Sequence, residues 1–111
     1  MKLLFIVLNS ADKLEEVLEG LIEAGVTGAT VVDSVGMGHI IEGVPLFAGM
    51  RNLFRGSKPR NNIIFSVIRS SQVPETMPVL DKILGCSRGK GEGIAFVLPI
   101  ETSIGISPNP D

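Results

Sequence analysis

The chain has 111 residues, 44% of them apolar and 20% charged, which suits one domain with one core; no apolar run approaches the ~20 residues of a membrane span. With one cysteine, Cys86, and one histidine, His39, an intrachain disulfide is excluded and no metal site is expected. A net charge of −2, five phenylalanines and no Trp or Tyr argue against a nucleic-acid binder, which would carry a basic surface interleaved with aromatics.

The first element follows at once. Leu3 to Leu8 is a continuous apolar run of strand length, with no small-residue cleavage site behind it, so a soluble cytoplasmic protein is expected. Asn9-Ser10 can cap the helix that comes next. In it Leu14, Val17, Leu18, Leu21 and Ile22 recur at i, i+3, i+4, i+7 and i+8 with glutamates between them, and Gly25 stops it. Ala29 to Val35 is rich in β-branched residues and predicts a second strand. From about Met37 to Arg60, scattered Gly and Pro and the lack of a period predict one long loop. Asn62 to Arg69 predicts a third strand. Ser70-Ser71 then caps a helix with Val73, Met77, Leu80, Ile83 and Leu84 on one face, ended by Gly85. Pro78 predicts that this helix begins late or kinks. Gly93 to Leu98, stopped by Pro99, is the fourth strand, and the tail can add a short one around Ile104 to Ile106.

The order β-α-β, long loop, β-α-β predicts an α+β fold, a ferredoxin-like βαββαβ antiparallel sheet with two helices on one face, as a single domain over residues 1–111. The first strand is apolar on both alternations, Leu3/Phe5/Val7 and Leu4/Ile6/Leu8, so the uncovered face is apolar too and self-association is expected.

The glycine-rich segment G-C-S-R-G-K-G-E-G at 85–93 poses the functional question. Charge concentrates near it: two lysines against seven acids over residues 1–50 leave −5, whereas eight bases against two acids over 51–90 leave +6. That excess suits a small anion or an acidic partner surface. Taken alone, the segment reads first as a plain helix-to-strand connection with Arg88 and Lys90 solvated. No nucleophile with a base, carboxylate pair or metal cluster can be assembled from the residues, so an enzyme is not expected.

K-L-E-E-V-L-E-G-L-I-E-A-G-V-T-G-A-T-V-V in the first half and Gly91, Gly93, Phe96, Val97, Pro99, Ile100 and Glu101 in the second resemble the P-II nitrogen regulatory family over nearly the whole chain. The resemblance implies a homotrimer that holds a nucleotide between subunits and docks on a membrane transporter or metabolic enzyme through its long loop. It places Gly28, Thr30, Gly36, Met37 and Gly38 on the adenine and ribose side of the site, and Gly91 and Gly93 on the phosphate side. Arg88, Gly89 and Lys90 would complete the phosphate side, through backbone N–H groups and side-chain charge. Leu46, Phe47, Arg51, Phe54 and Arg55 would form the docking loop. The implied ligand is a small anionic effector, ATP, ADP, AMP or a cyclic nucleotide, with no cofactor required.

The chain departs from the family pattern at Ile94, Gly105 and Ser107, where basic residues are expected, and at Ile40, where a metal-binding glutamine is expected. Phe47 stands where some members carry a modifiable tyrosine, so that modification is chemically excluded. A structural or metal-handling trimer without nucleotide binding is the alternative.

Overall fold

Seven consecutive residues, Lys2–Leu8, form strand β1, and their alternation decides where the core lies: Leu4, Ile6 and Leu8 are buried, whereas Leu3, Phe5 and Val7 are half-exposed. The computed structural model describes residues 1–46, 48–49, 60–85 and 91–106, apart from the side chains of Glu42 and Arg60. A short 3-10 turn at Ala11–Lys13 leads into α1 (Leu14–Glu23), followed by β2 (Thr30–Val35), α2 (Met37–Glu42) and β3 (Arg60–Ile68). A second 3-10 turn at Ser70–Gln72 precedes α3 (Val73–Leu84), and β4 (Gly93–Pro99) closes the sheet.

The strand order is β2-β3-β1-β4 with every neighbouring pair antiparallel, the ferredoxin-like arrangement expected, with β1 and β3 at the centre. Helices α1 and α3 pack on each other and on one sheet face. The core holds Leu4, Ile6 and Leu8 of β1, Ile64 and Ile68 of β3, Val17 and Leu21 of α1, and Leu80 and Leu84 of α3. Each such side chain contributes on the order of 1.5–3 kcal/mol by leaving water. The sheet interior has no room beside Gly93: a Cβ there would stand 2.4 Å from the Val7 carbonyl oxygen, so only glycine lets β4 approach β1 at this point.

Several expectations are corrected. The stretch from Met37 is not loop throughout, because α2 occupies Met37–Glu42. Gly36 leaves β2 in extended conformation, Met37, Ile40, Ile41 and Val44 fall at helical spacing, and Gly43 ends the helix. Helix α3 does not begin late; it runs unbroken from Val73 with Pro74 in its first turn and Pro78 inside it. Pro78 lacks the N–H that would reach Pro74, and the burial of Thr76, Leu80 and Leu84 outweighs that single missing bond. The tail strand at Ile104–Ile106 is absent, the backbone bending there with Gly105 at φ 84°. Ser10 makes no side-chain cap bond to the turn that follows it, and ahead of α3 the Gln72 Oε1 accepts from the Arg69 N–H at 2.8 Å. Pro99 belongs to β4 and is tolerated because β4 is an edge strand.

Candidate functional site

The connector between α1 and β2 is held by side chains rather than by regular structure. Gln72 Nε2 donates to the Gly25 carbonyl at 2.9 Å, and the buried Ser66 hydroxyl donates to the Gly28 carbonyl. These ties open a cleft of about 380 Å³ whose walls include Gly25, Gly28, Ser66, Arg69, Gln72 and Ile106. A Cβ added at Gly28 would meet nothing within 4 Å, so its backbone borders open space. Thr30, exposed, opens β2 two residues on.

At the other end of β2, Gly36 begins α2 and its carbonyl accepts from the His39 and Ile40 N–H groups. Met37 projects into solvent at 66% exposure, while Gly38 is buried. Asn62 Nδ2 donates to Asp33 Oδ1 at 2.9 Å, and the Ser34 hydroxyl to the Asn61 carbonyl at 3.2 Å. Both bonds fasten this end of β2 to β3. Ile40 is 57% exposed and Leu46 85% exposed, which places two apolar side chains on the surface at the start of the long connection.

On the opposite edge, Gly91 is exposed and a Cβ added to it would lie 3.6 Å from the Gly93 carbonyl oxygen, an ordinary contact. The Glu92 N–H donates to the Leu84 carbonyl at 3.0 Å and the Glu92 carbonyl accepts from the Asn9 N–H at 2.8 Å. The Glu92 N–H is therefore not among the donors open to an anion. Arg88, Gly89 and Lys90, together with Phe47, Arg51, Phe54, Arg55 and Ser107, lie outside the described residues.

The two groups are not brought together within one chain. Gly93 pairs with Leu8, Leu8 with Asn62 and Asn62 with Asp33. Three strand spacings, about 14 Å, thus separate β4 from β2 across the sheet. Each edge also carries an apolar groove. One, of about 460 Å³, lies between α3 and β4 beside Met77, Leu80 and Ala95; the other, of about 230 Å³, lies between α1 and β2 beside Leu18, Ile22 and Val31.

Sequence reasoning missed Ser66, Arg69, Gln72 and Ile106 as walls of the Gly28 cleft. Only Ser66 left a signal, as the single polar break in Ile63 to Ile68. Among the described residues no group of three or more His, Cys, Asp or Glu could hold a metal ion, and no helix is long and apolar enough to cross a membrane.

A family model for nitrogen regulatory protein P-II matches residues 1–109, and the chain belongs to that family. A search of curated proteins found no match. P-II proteins are regulators rather than enzymes, and they typically form trimers and bind target proteins.

Proposed function

We propose that this protein is a cytoplasmic signalling trimer that binds an adenine nucleotide at the junctions between its copies and regulates a transporter or metabolic enzyme, in nitrogen metabolism, through its long loop. One observation carries the reading. The residues matched to the base and ribose side, Gly28, Thr30, Gly36, Met37 and Gly38, follow the β2 edge, whereas Gly91 and Gly93 lie on the β4 edge. Only a second copy, presenting its β4 edge to the first copy's β2 edge, completes the site. Such a head-to-tail contact uses two different surfaces and closes into a ring when the rotation fits.

Other features support the same reading. The apolar grooves beside the two edges give each side of that contact surface to bury, and Gly28 leaves its backbone open to a ligand. Met37, Ile40 and Leu46 place exposed apolar side chains at the start of the connection that would dock on a target.

The test is calorimetric titration of the purified protein with ATP, ADP, AMP and cyclic AMP, beside light scattering. We expect at least one nucleotide to bind with one site per chain, to particles larger than a single chain. Absence of binding at millimolar nucleotide removes the effector and leaves a structural trimer.

A further inference from the structure

The cleft beside Gly28 is built by one chain. Its walls come from residues 25–28, residues 66–69, Gln72, Ile106 and Met1. Lys2 pairs with Ile68 at this end of β1, and Leu8 pairs with Gly93 at the other. The length of β1, about 20 Å, therefore separates the cleft from the glycine segment of the same chain. Its volume, about 380 Å³, falls within the range of small-molecule sites, roughly 300–1,000 Å³.

Charge decides what such a cleft can hold. Arg69 is the only charged residue on the walls, so no Asp or Glu stands among them. Among the described residues no acid pairs with Arg69. The surroundings are also fixed by bonds within the chain. Gln72 Oε1 accepts from the Arg69 N–H at 2.8 Å, and Gln72 Nε2 donates to the Gly25 carbonyl at 2.9 Å. The buried Ser66 hydroxyl donates to the Gly28 carbonyl. Two carbonyls whose negative ends would repel an anion are thus engaged by protein donors. The exposed Thr27 adds a hydroxyl to the same wall.

We propose that this cleft binds a compact anion, and that Arg69 holds its carboxylate or phosphate group. A guanidinium offers two parallel N–H groups to the paired oxygens of such a group, a match that a point charge does not reproduce. One cation on the walls suits one anionic group, and the apolar wall at Val26 and Ile106 takes an uncharged remainder. No second copy is needed, so this site stands apart from the nucleotide reading, in which the ligand lies between copies.

The experiment follows backbone amide resonances of the isotope-labelled protein during titration with sodium phosphate, sodium acetate and, at matched ionic strength, sodium chloride. Phosphate or acetate is expected to shift the amides of residues 25–28 and 69–72 in a saturable way, and chloride is not. The anion that saturates tells a phosphate-bearing ligand from a carboxylate. Arg69 is exposed, so Arg69→Ala opens no cavity; it should weaken binding at least about tenfold, with the remaining amide spectrum preserved. The proposal is overturned if neither anion shifts these amides at millimolar concentration, if chloride shifts them equally, or if Arg69→Ala binds unchanged. A parallel titration with ATP separates the two readings. Phosphate or acetate shifts without nucleotide binding keep this site and remove the nucleotide; nucleotide binding without those shifts removes this site alone.

Discussion

Gly91 and Gly93 are two residues apart and indistinguishable as letters, yet they answer to different constraints. A methyl group on Gly93 would be driven into the Val7 carbonyl, with the Leu8 Cα at 3.2 Å behind it, and neither backbone atom can yield without parting β4 from β1. Gly93→Ala should therefore cost about 2–4 kcal/mol in urea unfolding, in the range of overpacked core positions. Gly91→Ala should stay within about 0.5 kcal/mol, since the added carbon meets only an ordinary contact. Equal losses in the two variants would show that the β4 edge is not packed as described. Ser66→Ala removes the donor to the Gly28 carbonyl and should cost about 1 kcal/mol while loosening the connector that forms the cleft wall. None of this was legible in the sequence. The G-x-G spelling advertises backbone freedom without saying whether a ligand or a neighbouring strand uses it, and the Ser66 partner lies 38 residues away along the chain.

Elements were legible in proportion to their length and period. Helix α1 shows itself through five apolar residues at helical spacing over two turns, and the four strands through continuous or β-branched runs; the structure shifts their ends by a residue or two. Helix α2 escaped because six residues with Gly38 among them are too short to establish a period. Pro78 misled for a different reason: a local rule about the missing N–H was set against core burial that only the packed structure reveals. That conflict is measurable. Pro78 is exposed, so Pro78→Ala restores the N–H toward the Pro74 carbonyl without opening a cavity, and should stabilise the protein by about 1–3 kcal/mol. A variant less stable than wild type would mean that the proline ring packs in the α3–β4 groove, whose wall it joins, more firmly than its exposure implies.

At the scale of the molecule the unresolved demand is the open sheet face. Its rows are set by strand register: Leu98, Leu3 and Val67; then Phe96, Phe5 and Phe65, reaching Thr30; then Ile94, Val7 and Ile63, reaching Val32. Phe5 and Phe96 stack with ring centroids 5.2 Å apart, and Phe65, Val67, Ile94, Phe96 and Leu98 are exposed. Ile94, where the family pattern has a basic residue, extends this apolar field to the β4 edge instead of charging it. Ten large apolar side chains on one face exceed what a soluble monomer ordinarily exposes, so burial against other copies is the stabilising outcome. The proposed ring joins the unlike β2 and β4 edges head to tail, and family membership makes three the expected number of copies. Light scattering should report a particle of three 11.8 kDa chains at micromolar concentration. A single chain at that concentration would refute the ring and, with it, a ligand site shared between edges. Phe5→Glu and Phe65→Glu place a charge in the middle row of the field and should each reduce the particle below three chains. Leu46→Glu, on the connection after α2 and 85% exposed, should leave the mass unchanged. If the Phe5 and Phe65 variants keep the wild-type mass, the sheet face is not what holds the copies together, and the edge grooves alone must do so.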